Sequence, residues 1–190
     1  GGMALTNDDA LAERMRLLRS HGVTRESRLM TREREPWEYE QIDLGFNYRL
    51  TELQAALGIA QMDRIDDFIA GRRRIAQAYD EELRDLPLIL PHQSADSQSA
   101  YHLYPIQVTD EAPLDRRALY ERLRGEGIAA NVHYMPIYMQ PYYRTLGFEA
   151  GYCPNAEAYY ARALSLPMYA TLTAADRQRV TDALKRSIRV

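Results

Sequence analysis

The longest periodic pattern in this sequence begins at Thr51 and ends before Pro87. Thr51 and Gln54 have the spacing of a capping box, in which each side chain bonds the other residue's main-chain N–H. The pattern predicts one long helix over residues 51–86, with Gly71 as the place for a bend. At about 1.5 Å per residue such a helix is on the order of 50 Å long, so it should link two domains or cross an interface. The apolar residues at helical spacing are Leu53, Leu57, Ala60, Ile65, Phe68, Ile69, Ile75, Tyr79, Leu83 and Leu86.

The segment before this helix predicts a strand, a turn and another helix. Residues 2–6 have strand character, Asn7 is the candidate N-cap of the helix, and Gly22 marks its end. The highly charged residues 23–37 lack an apolar period, which indicates a surface loop. We therefore expect a strand–turn–helix unit followed by an excursion on the surface.

The second half of the chain alternates a few strands with helices. After a polar connector, strands are predicted over residues 101–108 and 129–134. Three helices are also predicted: the first ends at Gly125 or Gly127, the second covers residues 156–163, and the third follows a cap at Thr173. Pro105 indicates that the first of these strands lies at a sheet edge, because proline lacks the N–H that a central strand donates. This order of elements predicts a small α+β domain.

Composition and charge narrow the classes of function. The 190 residues carry a net charge of −3, which argues against a general binder of nucleic acid or membrane surfaces, because such proteins need an excess of cations. The single cysteine, Cys153, excludes an intrachain disulfide and is interpreted as a buried or inert thiol. We expect a cytoplasmic protein with no metal site.

The segment GFNYRLT is the first candidate binding site. If it is extended, Asn47 and Arg49 share one side and the aromatic residues beside them share the other. Thr51 then opens a helix whose free N–H groups and dipole favour an anion, and an arginine fork matches a phosphate group. The alternative is that Asn47 and Arg49 cap a turn and pair with an acid such as Asp43.

The second candidate is the aromatic stretch NVHYMPIYMQPYY, which has no period and therefore predicts a loop. Loops rich in aromatic residues often line ligand pockets. His133 in this loop has the chemistry of an acid, a base or an anion partner. The alternative is that His133 is structural and that Tyr142, Tyr143 and Phe148 cover the core.

These segments, in this order, resemble the DegT/DnrJ/StrS family of pyridoxal-phosphate-dependent nucleotide-sugar aminotransferases. The resemblance covers nearly the whole chain and runs through GGMALTND, LGFNYRLTELQAALGIAQMDRID, AYHLYPIQV, GIAANVHYMPIYMQPYYRTLGF and PNAEAYYARALSLPMY. It implies an α+β fold class, as the C-terminal part of a fold-type I aminotransferase. Residues 1–50 would be a remnant of the large cofactor-binding domain, 51–86 a long linking helix, and 87–190 the small C-terminal domain.

The resemblance also implies roles for individual residues. The asparagine matched by Asn47 binds the cofactor phosphate of the partner subunit in a dimer, and Arg49 would lie near that phosphate or the substrate diphosphate. His133 and Tyr134 match residues expected near the substrate. Tyr138 stands where many relatives have a second histidine, which leaves the sugar specificity open.

The resemblance implies transfer of an amino group from glutamate to a 4-keto-6-deoxy nucleotide sugar. The most similar members of the family are those of the pseudaminic acid pathway, which use a UDP-linked sugar. In the family, the lysine that forms the Schiff base lies a few residues before a Gly-Glu-Gly-Gly turn. The segment GGM at the start of this sequence resembles the end of that turn. The one lysine of the chain, Lys185, matches no catalytic position, so no catalytic residue is expected here and the chain alone should be inactive. A sugar-dehydrating relative and a non-catalytic dimerisation or regulatory fragment remain alternatives.

Overall fold

The computed structural model of the protein describes residues 2–31 and 35–188. The chain forms two compact units, an N-terminal unit (Gly1–Met62) and a C-terminal unit (Asp63–Val190). The helices are α1 (Asp9–Leu18), α2 (Glu52–Met62), α3 (Ile65–Leu83), α4 (Arg116–Gly125), α5 (Pro141–Arg144), α6 (Pro154–Arg162) and α7 (Ala174–Ile188). The strands are β1 (Val23–Thr24), β2 (Glu40–Gln41), β3 (Leu88–Ile89), β4 (Tyr104–Val108) and β5 (Ala163–Leu166), and 3-10 turns cover Ser27–Leu29 and Ile137–Met139. This mixture of helices and short antiparallel strands confirms the predicted fold class.

The N-terminal unit pairs β1 with β2 in a two-stranded antiparallel sheet. Helix α1 begins one residue later than predicted, since Asp8 is its N-cap and the carboxylate accepts a hydrogen bond of 3.0 Å from the N–H of Leu11. The strand predicted over residues 2–6 is wrong, because these residues have no regular secondary structure. A strand needs a hydrogen-bonded neighbour, and Met3 and Leu5 are instead 87% and 86% exposed.

The predicted single helix over residues 51–86 is two helices, α2 and α3. Helix α2 ends at Met62 and α3 begins at Ile65, with two acidic residues in its first turn, where the helix dipole favours them. The bend expected at Gly71 does not interrupt α3. A Cβ at Gly71 would lie 2.7 Å from the carbonyl oxygen of Ala170, so glycine is required there for close packing. That this stretch links two domains stays a prediction.

The C-terminal unit contains a three-stranded antiparallel sheet in the order β3-β4-β5. The prediction that Pro105 marks an edge strand is wrong, since β4 lies in the centre. Strand β3 ends opposite Gln107, however, so at Pro105 only β5 pairs with β4. The missing N–H of proline is tolerated at this locally single-sided position.

Helices α3, α4 and α7 contribute to one hydrophobic core with this sheet, and the core supports the loops of the unit. Its largest fully buried side chains are Tyr79, Leu83, Tyr104, Ile106, Leu119, Leu123, Leu164 and Leu184. The Tyr79 hydroxyl donates to the carbonyl oxygen of Pro167 at 3.0 Å, and the Tyr104 hydroxyl donates to Asp80. Burial raises the pKa of both hydroxyls, so they stay neutral hydrogen-bond donors. Among the described residues, no helix is long and apolar enough to cross a bilayer.

The helix ends of the C-terminal unit agree with the sequence predictions. Helix α4 ends at Gly125, one of the two glycines proposed as its stop, and α6 covers most of the predicted range 156–163. Thr173 caps α7, where its hydroxyl oxygen accepts from the N–H of Asp176 at 3.1 Å. Local capping signals were therefore reliable here, because they depend only on neighbouring residues.

Candidate functional site

The segment that carries Asn47 is held against the C-terminal end of α1 by main-chain hydrogen bonds. The N–H of Phe46 donates to Leu18 at 2.7 Å, and the N–H of Tyr48 donates to Arg19 at 2.9 Å. In return, the N–H of His21 donates to the carbonyl oxygen of Phe46 at 2.8 Å. The last carbonyls of a helix lack partners within it, so this segment completes the hydrogen bonding of α1.

Two glycines make this close approach possible. Gly22 has a φ of +70°, and a Cβ there would lie 2.0 Å from the carbonyl oxygen of Asp43. A Cβ at Gly45 would lie 2.3 Å from the N–H nitrogen of Gly22. Arg14 of α1 also forms an ion pair with Asp43. The position of the segment that carries Asn47 therefore depends on glycine at positions 22 and 45, where any larger residue would overlap the main chain.

Asn47 and Arg49 are exposed, and neither side chain forms a hydrogen bond or ion pair with any residue that the structure describes. The alternative that they pair with Asp43 is wrong, since the partner of Asp43 is Arg14. The rings of Phe46 and Tyr48 stack with centroids 4.9 Å apart and planes at 9°, which confirms that these two share one side. Asn47 and Arg49 are thus free to bind a ligand.

Helix α2 begins directly after these residues, with the predicted capping box. The N–H of Thr51 donates to Gln54 Oε1 at 3.1 Å, and the N–H of Gln54 donates to Thr51 Oγ1 at 3.3 Å. The N–H groups of Glu52 and Leu53 have no acceptor within the described ranges. Glu52 also places a carboxylate in this first turn, so Arg49 must supply the positive charge that an anion would need.

His133 lies in the C-terminal unit, beside β5. Its Nδ1 is 2.8 Å from Ser165 Oγ, and its Nε2 is 3.4 Å from Asn131 Nδ2. The strand predicted over residues 129–134 is wrong, because Asn131 alone bridges β5 through two main-chain bonds with Ser165, of 3.1 and 2.7 Å. The N–H of Ala130 already bonds the carbonyl oxygen of Ile128 locally, which prevents a longer ladder.

Tyr134 lies next to His133 with its ring edge-on, at a centroid distance of 4.7 Å and an angle of 89°. The peptide bond between them is cis. Tyr134 is 73% exposed, whereas His133 is half-buried. The two residues therefore form an accessible pair of hydrogen-bonding side chains, as a substrate contact would require.

Tyr138 is more deeply buried than His133 and Tyr134, which lie in the same loop. It is buried, and its hydroxyl donates to Glu157 Oε1 at 2.7 Å. The same carboxylate oxygen accepts from the N–H of Gly151 at 2.6 Å. Desolvation and the bond to Glu157 raise the pKa of the Tyr138 hydroxyl. Tyr138 thus ties the loop to α6, and its contact with substrate stays a prediction.

Replacing Tyr138 by phenylalanine tests its structural role. We expect a loss of about 1–2 kcal/mol in the free energy of unfolding, because the bonds of the hydroxyl to Glu157 and to the main chain of Cys153 disappear while the ring still packs. Urea denaturation of the chain followed by circular dichroism measures this loss. Phe148→Leu, which changes an aromatic neighbour without a hydroxyl, is the control for ring packing. A stability equal to that of the unchanged chain would contradict the structural role.

The predicted site residues therefore form two groups, Asn47 with Arg49 in the N-terminal unit and His133 with Tyr134 and Tyr138 in the C-terminal unit. Sequence reasoning missed Ser165 and Asn131, the partners of His133. Asn131 is two residues away, but Ser165 is on β5, and no spacing rule connects it to His133. The expectation of a buried thiol was also wrong in part, because Cys153 is exposed.

Comparison with known proteins gives a consistent match over this chain. The model of the DegT/DnrJ/EryC1/StrS aminotransferase family matches residues 1–185. The UDP-4-amino-4,6-dideoxy-N-acetyl-beta-L-altrosamine transaminase of Campylobacter jejuni is 34% identical over 97% of this chain and 47% of its own length. The spore coat polysaccharide biosynthesis protein SpsC of Bacillus subtilis is 35% identical over 97% of this chain and 49% of its own.

A solved structure agrees with the sequence relatives. Helicobacter pylori PseC, described as an aminotransferase involved in the biosynthesis of pseudoaminic acid, superposes with a TM-score of 0.85 at 32% identity, over 96% of this chain and 47% of that one. The chain spans about half the length of the curated relatives that it matches. The coverage is that of the C-terminal portion predicted from the sequence.

Proposed function

This chain belongs to the DegT/DnrJ/EryC1/StrS aminotransferase family. We propose that it is the C-terminal portion of an enzyme that transfers an amino group from glutamate to a UDP-linked 4-keto-6-deoxy sugar. The match to the family over residues 1–185 carries this proposal. The similarity to the transaminase of Campylobacter jejuni supports the choice of sugar. We further propose that the enzyme acts in the cytoplasm, without nucleic acid or membrane as a partner.

Aminotransferases of this family depend on pyridoxal phosphate, which supplies an electron sink at the reacting carbon. The residues of the N-terminal unit fit its phosphate group. Asn47 offers an uncommitted amide and Arg49 an uncommitted guanidinium, both exposed and directly before α2. A planar guanidinium and an amide are suitable donors for phosphate oxygens. We propose that they hold the cofactor phosphate of a partner subunit.

Substitution of Asn47 by alanine tests this assignment in the longer protein that contains the chain. Loss of one hydrogen bond to a charged phosphate, worth about 1.5–3 kcal/mol, should weaken cofactor affinity by about 10- to 100-fold. Titration of the apoprotein with pyridoxal phosphate, followed by absorbance, measures it. Asn155→Ala, at an exposed position of α6, is the control. Equal affinity in the Asn47 variant would remove Asn47 from the site.

The exposed apolar residues of α2 support a homodimer. Leu53 and Leu57 lie one turn apart on the same face of the helix and are 83% and 64% exposed, and apolar surface of this kind normally finds a partner. We therefore expect the chain to dimerise or aggregate, and Leu57→Glu to reduce this association. Light scattering measures the outcome, with Leu146→Glu in the C-terminal unit as the control. A monodisperse monomer of the unchanged chain would count against the dimer.

Lysine content sets a limit on the activity of this chain. Transamination with pyridoxal phosphate uses a lysine that binds the cofactor and moves protons. The one lysine here, Lys185, lies half-buried in the last turn of α7. We propose that it takes no part in the reaction and that the chain alone is inactive.

The decisive experiment uses the longer protein. We expect it to turn yellow with pyridoxal phosphate and to aminate a UDP-linked 4-keto sugar with glutamate as donor. A protein that binds no cofactor would refute the proposal. Cofactor binding with elimination of a sugar hydroxyl, and no amino transfer, would instead identify a dehydrating relative.

A further inference from the structure

Both ring nitrogens of His133 have a polar neighbour, although the residue lies near the surface. Nδ1 is 2.8 Å from the hydroxyl oxygen of Ser165, which is buried in β5 with 4% of its surface exposed. Nε2 is 3.4 Å from the amide nitrogen of the exposed Asn131. A neutral imidazole donates from one nitrogen and accepts at the other, so these neighbours select its tautomer.

The orientation of the Asn131 amide decides which nitrogen carries the proton. Asn131 Oδ1 accepts a hydrogen bond of 2.9 Å from the N–H of Val132, so the amide NH₂ faces His133. An NH₂ group only donates, and Nε2 must therefore present its lone pair. The proton then lies on Nδ1 and is donated to Ser165 Oγ.

We propose that Ser165 and Asn131 are positioning residues that fix the His133 ring with its proton on Nδ1 and with Nε2 as an acceptor. The contact with Asn131 is the longer of the two, so a ligand hydroxyl can replace it. Nε2 of His133 would then accept a hydrogen bond from a hydroxyl or N–H of the sugar. The identity of that ligand rests on the proposed function, whereas the tautomer does not.

The tautomer is measured directly by ¹⁵N NMR of the chain labelled at histidine, at about pH 8, where an ordinary imidazole is neutral. We expect the Nδ1–H form for His133, with His21, His92 and His102 as internal references. Asn131→Asp should move the proton to Nε2, because a carboxylate oxygen then faces this nitrogen. Ser165→Ala should give a mixture of both tautomers, because the Nδ1–H then lacks its acceptor while Asn131 still faces Nε2.

Two results would overturn the proposal. One is an Nε2–H tautomer in the unchanged chain. The other is an unchanged tautomer of His133 in both Asn131→Asp and Ser165→Ala, because Asn131 and Ser165 would then not control the position of the proton. Circular dichroism of each variant checks that β5 and its surroundings remain folded.

A kinetic measurement in the longer protein tests the consequence for substrate. Ser165→Ala should lower kcat/KM for the nucleotide sugar by about five-fold, the effect of one neutral hydrogen bond, and Ser165→Thr, which keeps the hydroxyl, should retain more activity. An unchanged kcat/KM in Ser165→Ala would refute the positioning role. If the unchanged protein transfers no amino group at all, the proposed function fails while the NMR result stands by itself.

Discussion

Substituting alanine for Gly22 should disrupt the turn that holds Asn47, with a loss of about 2–5 kcal/mol in the local free energy of opening. The new Cβ would lie 2.0 Å from the carbonyl oxygen of Asp43, in a backbone conformation with φ of +70°. A left-handed conformation costs an L-residue about 1–2 kcal/mol, and forcing atoms into an occupied space costs about 1–3 kcal/mol more. Because main-chain atoms cause the overlap, no change of rotamer relieves it.

Hydrogen exchange provides the measurement for Gly22→Ala. The amides of His21, Phe46 and Tyr48 are bonded across this turn and should lose protection together. Gly58→Ala is the matched control, since a Cβ there meets no atom within 4 Å and alanine favours the helix. Retained protection in the Gly22 variant would show that the segment is held in some other way. In the longer protein the same variant should weaken cofactor affinity, because Asn47 would be displaced.

Leu119→Ala should destabilise the C-terminal unit by about 3 kcal/mol, within the range of about 2–5 kcal/mol for a buried leucine. Leu119 lies on α4 and is fully buried in the core. Its removal leaves a cavity between elements that the sheet and α7 hold in place, so the surroundings can collapse only in part. This core carries β5 and therefore Ser165, the neighbour of His133.

Urea denaturation followed by circular dichroism measures the effect of Leu119→Ala. The control is Leu146→Ala in the same unit, whose side chain is 60% exposed and whose loss should change stability by about 0.5 kcal/mol or less. Similar losses of stability in the two variants would contradict the burial of Leu119 in the core. We also expect the ¹⁵N signals of His133 to change only in the buried variant.

Local sequence signals predicted much of the helical structure. The Thr51–Gln54 capping box, the glycine stop of α4 and the Thr173 cap all depend on residues three or four positions apart. The stacking of Phe46 on Tyr48 follows from strand alternation in the same way. Such features involve neighbouring residues only, so the rest of the fold does not change them.

Features that need a distant partner could not be predicted in this way. The strand character of residues 2–6 was recognised, but a strand forms only where another strand lies beside it. Asn131 resembled a strand residue for the same reason, and it forms only one bridge to β5. Gly71 was expected to bend a helix, whereas the carbonyl of Ala170, about one hundred positions away in sequence, is what requires a glycine there.

The sequence by itself determined the fold class, the family and the candidate residues Asn47, Arg49 and His133, because ordered motifs and local periodicity are written along the chain. Tertiary structure alone decided the environment of each. It left the side chains of Asn47 and Arg49 without a hydrogen bond or ion pair among the described residues, and it placed Ser165 against His133. Hydrogen bonding and burial are set by residues far apart in sequence, so the protonation and freedom of a side chain emerge only when the chain has folded.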